Sequence, residues 1–182
     1  MLIEDGKGSG YRAEVNQNNQ LNVFSVTEKE IAYHSQFHGA AYIWTATADW
    51  GADKNAIWLR NNSTKDYLII QQVTVSPAAS CLCEIWVGNG NTAGGTAVVG
   101  VNLNRSSKKA ADATCTHTNT NVDAGAGMTL LNSFYSLATF KEPMTFDGAL
   151  VLGYYDELAV NLVTDVGITA VGIFGYFRAS AL

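Results

Sequence analysis

Charge is scarce in this 182-residue chain: Asp, Glu, Lys and Arg supply 15% of it, against 47% hydrophobic residues. A disordered chain shows the reverse balance, so that class is excluded. A chain of this length buries about 70% of its extended surface and needs no disulfide or metal to fold. Cations are the scarcer sign, 11 Lys and Arg against 16 Asp and Glu, for a net charge of −5. Such a chain has no long-range attraction for a phosphate backbone. The one basic cluster, Arg105, Lys108 and Lys109, has no adjacent aromatic ring on which a base could stack. Nucleic acid is not an expected partner.

Long apolar runs are also missing. The longest, from Val166 to Phe177, falls short of the ~18 residues of a membrane-spanning helix, so no membrane partner is expected. Met1-Leu2-Ile3 runs directly into Glu4-Asp5, without the basic start and apolar middle of a secretory leader. The expectation is therefore synthesis in a cytoplasm, and the Asn-x-Ser/Thr patterns at Asn61, Asn62 and Asn104 carry no glycan. The three cysteines, Cys81, Cys83 and Cys115, are an odd number and make no disulfide framework. Only two prolines occur, Pro77 and Pro143, and both are expected between strands.

What is present is β pattern. Ala41–Thr47 places Tyr42, Trp44 and Ala46 on one side. Ala56–Arg60 and Tyr67–Ser76 flank the polar turn 61–66. Cys81–Val87 alternates with Cys81, Cys83, Ile85 and Val87 on one face. Leu130–Phe140, Ala149–Tyr155, Leu158–Thr164 and Ile168–Arg178 are further strands. Gly88–Met128 is irregular, with one firm strand over Val98–Leu103, and a loop this long is usually functional or contacts a partner. Thr27-Glu28-Lys29-Glu30 matches a capping box before a short helix over Glu28–Phe37, ended by Gly39. Eight to ten short strands with one short helix predict an all-β fold, a jelly-roll-like sandwich of two sheets.

Residues 1–26 form a separate unit in this reading, an N-terminal arm leading into a first strand over Leu21–Val26, and residues 27–182 form the sandwich. Gly6, Gly8 and Gly10 loosen the arm. Its apolar residues Leu2, Ile3, Tyr11, Val23, Phe24 and Val26 are candidate contacts with a neighbour, because an arm that orders on binding covers a large surface.

The chemistry-bearing patterns give little. Cys81, Cys83, Cys115 and His117 have the atoms of a Cys₃His zinc site, but one residue between Cys81 and Cys83 is shorter than zinc spacing, and their face is that of core residues. Glu30, His34 and His38 fall four apart, yet Ser35 stands where a metalloprotease needs glutamate, so a solvated polar face is expected. Gly6-Lys7-Gly8-Ser9-Gly10 lacks the Walker spacing and a preceding strand. No Gly-x-Ser-x-Gly elbow occurs, and none of Asp5, Asp49, Asp53, Asp66, Asp147, Asp156 and Glu157 is singled out as half of a glycosidase pair. No catalytic residue, metal or cofactor is assigned. Trp44, Trp58 and Trp86 lie in strand patterns, where packing in a core or interface is the default. Trp50, in Asp49-Trp50-Gly51-Ala52-Asp53, is the one tryptophan expected at the surface. With Arg105, Lys108 and Lys109 it forms the candidate partner or ligand loop.

Four stretches resemble the virion structural proteins of tailed bacteriophages, of the jelly-roll accessory type found as capsid decoration (cement) or head- and tail-fibre components. They are Leu2-Ile3-Glu4-Asp5-Gly6-Lys7-Gly8-Ser9-Gly10-Tyr11 with Ala13-Glu14-Val15 and Leu21-Asn22-Val23; Ala56-Ile57-Trp58-Leu59-Arg60-Asn61-Asn62-Ser63 with Asp66-Tyr67-Leu68-Ile69-Ile70; Gly95-Thr96-Ala97 with Val101-Asn102-Leu103-Asn104-Arg105-Ser106-Ser107 and Ala110-Ala111-Asp112-Ala113; and Phe146-Asp147-Gly148-Ala149-Leu150-Val151-Leu152. Gly100 departs from the pattern, which has proline there, and Gly153-Tyr154-Tyr155 replaces a more polar turn. The resemblance implies a non-enzymatic protein located on the virion, bound to the major capsid protein or other virion proteins and to its own copies. An aromatic share of 10% on a small β domain, with Trp86 facing outward, makes a homotrimer the expected assembly. The alternatives are a fibre module that binds a receptor or glycan, and a virion-attached glycan hydrolase.

Overall fold

The computed structural model describes residues 3–4, 12–13, 30–52, 54–89, 94–117, 127–138 and 142–179. In chain order the strands are β1 (Ile3–Glu4), β2 (Arg12–Ala13), β3 (Ala41–Asp49), β4 (Lys54–Asn61), β5 (Asp66–Pro77), β6 (Cys81–Asn89), β7 (Thr96–Ala97), β8 (Val101–Asn102), β9 (Ala113–His117), β10 (Met128–Ser136), β11 (Glu142–Leu152), β12 (Asp156–Leu162) and β13 (Ile168–Ala179). The helix α1 (Glu30–Tyr33) precedes β3 and widens into a π-helical turn over His34–His38. Gly39 ends it with φ of 55°, a left-handed conformation that glycine adopts without strain.

The fold is all-β. One sheet has the order β10-β6-β12-β4-β9-β7, the other β11-β5-β13-β3-β8, and every pairing is antiparallel. The pairings nest: β3 with β13, β4 with β12, β5 with β11, β6 with β10. A long hairpin folded over itself produces this order, and the two antiparallel sheets pack as a sandwich.

Alternation dictates the core between the sheets. Tyr42, Trp44 and Ala46 of β3 point inward, as do Cys81, Cys83 and Ile85 of β6, and Leu158, Val160 and Leu162 of β12. In β5 the alternation changes phase, from Leu68 and Ile70 to Val73 and Val75. The register with β13 slips between Phe174 and Gly175, so Gln71 is an extra residue that bulges and resets the inward face. Each large apolar side chain buried this way stabilises the fold by roughly 1.5–3 kcal/mol. Two smaller clusters lie apart from this core. Trp58, Met128 and Ala159 pack with Trp86, and Ala41, Ile69 and Tyr176 pack with Leu103.

Several expectations are corrected. Of the strand expected over Val98–Leu103 only β8 (Val101–Asn102) forms, and it pairs with β3, whereas β7, just before that stretch, pairs with β9 in the other sheet. The chain crosses between sheets at Val99–Gly100, where a Cβ on Gly100 would lie 2.6 Å from Trp44 Nε1, so neither proline nor any other side chain fits. Strand β9 was not expected, because Ala113-Thr114-Cys115-Thr116-His117 carries little apolar alternation. Neither proline lies between strands: Pro77 is the last residue of β5, and Pro143 lies inside β11, tolerated because β11 is an edge strand. Tyr154 and Tyr155 turn where the strand was expected to continue. The strand over Leu21–Val26, the capping box at Thr27 and the boundary at residue 26 lie outside the described residues. Of the arm, β1 pairs with β2 through Ile3–Ala13 and Glu4–Arg12.

Candidate functional site

Two turns meet at one end of the sandwich. The β4–β5 turn is organised by Asn61, whose side chain is fully buried. Its Nδ2 donates to the carbonyls of Asp66 and Leu152, each at 3.0 Å, and its Oδ1 accepts from the Ser63 N–H at 2.9 Å. In the β11–β12 turn, the Asp156 N–H donates to the Gly153 carbonyl at 3.1 Å and the Asp156 carboxylate accepts from the Gly153 N–H at 2.8 Å. Tyr155 sits at φ 65° and its N–H donates to the Asn61 carbonyl at 2.9 Å. A non-glycine residue held in this region costs of order 1–3 kcal/mol and persists only when its surroundings fix it. Asn61 does so here, joining segments 91 residues apart.

The turn displays aromatic rings beside cations. Tyr154 and Tyr155 meet edge to face at 4.4 Å, and both are about half exposed. The Arg60 guanidinium lies 4.7 Å from the Tyr155 ring and 5.4 Å from the Trp58 ring, and its Nε donates to Asn62 Oδ1 at 3.2 Å. A hydrogen bond with Tyr155 holds the Tyr154 hydroxyl above its ordinary pKa. A cavity of about 210 Å³ opens between residues 63–67 and Tyr154. Asp66 also lines a second cleft, of about 250 Å³, walled by His34, His38, Ala40, Lys109, Phe177, Arg178 and Ala179. Lys109 reaches this cleft because its carbonyl accepts from Tyr42 Oη at 3.2 Å and from Asn102 Nδ2 at 3.1 Å, which ties its loop to β3 and β8.

The candidate loop is only partly assembled. Trp50 is buried, not exposed. Gly51, at φ 72°, turns the chain so that the indole returns to the core, where Nε1 donates to His117 Nδ1 at 3.4 Å. Arg105, Lys108 and Lys109 are all exposed, and Lys109 lines the second cleft. His34 is not on a solvated face either. The π-helical turn lays its ring on Tyr176 at 4.7 Å, while His38 stays exposed. Leu2, Tyr11, Val23, Phe24 and Val26 lie outside the described residues, and Ile3 is placed only by the pairing of β1 with β2. The Arg60–Tyr155 pair was missed. Its one sequence signal was Gly153-Tyr154-Tyr155 in a place where a polar turn was expected.

Cys81 and Cys83 lie in the core with their Sγ atoms 3.3 Å apart, and Cys115 is buried in the same cluster. Among the described residues no three His, Cys, Asp or Glu side chains gather into a metal site. Burial pushes the Cys81 and Cys115 thiols above their ordinary pKa. Both therefore stay protonated at pH 8, where an exposed cysteine is partly thiolate. Titration with a chromogenic disulfide at pH 8 is expected to release almost no colour from the native protein and three equivalents after denaturation. Rapid reaction of even one thiol in the native state would contradict this packing.

A second surface lies along β10, an outer strand of the six-stranded sheet. Met128–Ser136 contains no charged residue and no proline. Leu130 and Tyr135 are exposed, as are Leu131 at its bulge and Leu137 just beyond. No protein-family model matches the chain, and neither a curated protein nor a solved structure is significantly similar to it.

Proposed function

We propose that the chain is a non-enzymatic structural protein of a tailed-phage particle, of the decoration type, which works by burying surface against shell subunits and its own copies. The observation that carries this reading is the character of β10. Open strand edges template pairing with other chains, and folded proteins blunt them with charge, proline, bulges or brevity. Among the described residues the outer strands β7 and β8 are two residues long. Outer strand β11 carries Pro143, Asp147 and a wide irregularity between Thr145 and Leu150. Among the described residues nine-residue β10 has one bulge and no other protection, with Leu130 and Tyr135 presented on it. Like-charged copies of a chain at −5 meet most easily where neither carries charge.

The test is a double variant, Leu130→Lys with Tyr135→Lys. Both side chains are exposed, so the melting temperature is expected within a few degrees of the parent. Binding to particles stripped of this protein, and self-association by sedimentation, are expected to fall at least about tenfold, since anchors of this kind dominate interface energies. Unchanged binding by the double variant would refute β10 as the contact. Deleting residues 1–20 then asks whether the arm is the anchor, in which case binding falls while the melt holds.

A further inference from the structure

The tyrosine end of the sandwich is remote in kind from β10: it is aromatic and cationic where β10 is aliphatic and uncharged. We propose that it is a binding site for an acidic glycan, with a carboxylate-bearing sugar in the cleft walled by Lys109 and Arg178 and an adjoining ring against Tyr67 and Tyr154. This proposal does not rest on the virion reading.

Three observations support it. First, charge is unevenly placed. In a chain at −5, Lys65, Lys109 and Arg178 all line these two adjoining cavities, which share one acidic wall residue, Asp66, and Arg60 lies nearby, 4.7 Å from the Tyr155 ring. Second, the rings are held ready. Tyr155 is kept at φ 65° by its N–H bond to Asn61, its ring lies 4.7 Å from the Arg60 guanidinium, and it meets the cavity-lining Tyr154 edge to face at 4.4 Å. Glycine would relieve the backbone there, so what tyrosine adds is an amphipathic ring with a hydroxyl, which suits a sugar's apolar face and its polar edge. Third, Asp66 selects among anions. Its carboxylate accepts hydrogen bonds from sugar hydroxyls, and its repulsion of one sugar carboxylate is offset by Lys109 and Arg178 in the same cleft, whereas it opposes each of the closely spaced phosphates of a nucleic-acid strand. The edge-to-face Tyr154–Tyr155 pair is likewise unlike the successive parallel platforms on which bases stack.

The experiment uses the full-length protein on a panel of uronate- and sialate-bearing oligosaccharides, the neutral methyl esters of the same sugars, and a single-stranded oligonucleotide. At least one acidic sugar is expected to bind, at least about tenfold more tightly than its ester, more weakly as salt rises, and with no release of shorter sugars. Tyr154→Ala and Lys109→Ala are each expected to weaken it several-fold, with the melting temperature and particle binding unchanged. No binding anywhere on the panel, equal binding of acid and ester, tighter binding of the oligonucleotide, or full binding by both variants would each overturn the proposal. Loss of particle binding in the β10 variant with glycan binding intact keeps the two surfaces separable.

Discussion

Replacing Asn61 with alanine is expected to lower the melting temperature by about 6–12 °C. The side chain satisfies three backbone groups: the carbonyls of Asp66 and Leu152 and the N–H of Ser63. Alanine leaves all three without that partner. Each buried orphan costs ~1–3 kcal/mol, and those near the turn surface recover part of this from water, so the total is about 3 kcal/mol. For a domain of this size 1 kcal/mol moves the melt by roughly 2–4 °C. Asn61→Asp retains the acceptor but loses both donors and buries a charge, so it should be no better. Thermal unfolding followed by circular dichroism reads the result. A shift under about 2 °C for alanine would mean that the two turns hold themselves without Asn61.

Gly175→Ala is expected to cost about 3 kcal/mol and to move the melt by a similar amount. Gly175 lies in β13, between β5 and β3 in the middle of the five-stranded sheet. A Cβ there would sit 2.7 Å from the Ile69 carbonyl oxygen. That atom belongs to the paired strand's backbone, so the strands themselves must part, and overpacking of this kind costs ~1–3 kcal/mol or more. Gly172 supplies the control in the same strand. Its added Cβ would meet Thr74 Oγ1 at 2.9 Å, the end of a side chain that can rotate away. Urea unfolding of both variants should rank Gly175→Ala well below Gly172→Ala. The reverse order would mean that the bulge beside Gly175 yields more easily than its contact distance implies.

Local sequence carried much of the fold. Alternation in Tyr42-Ile43-Trp44-Thr45-Ala46 and Cys81-Leu82-Cys83-Glu84-Ile85 reported which side chains turn inward, because strand geometry sends successive residues to opposite faces. Gly39 marked the end of the helical segment, since its left-handed φ is open chiefly to glycine. The same signals misled where tertiary contacts intervened. Trp50 sits in a polar, glycine-containing segment that reads as a surface loop, and only the fold supplies His117 as a partner for its indole N–H. Val98–Leu103 reads as one strand because periodicity is blind to a change of sheet.

The sequence by itself determined that the chain folds, that it folds as β structure, where most strands and turns fall, and which face of each strand is apolar. These follow from the period of side-chain placement and from the conformational limits of glycine and proline, which act over a few residues. The tertiary structure decided the rest. It set Arg60 over Tyr155, brought Lys109 to the cleft of His38 and Arg178, and left β10 as the long uncharged outer strand. Each depends on which distant strands become neighbours, and no local pattern records that. The face a residue takes is a property of its own strand, but the company it keeps there is a property of the sheet order.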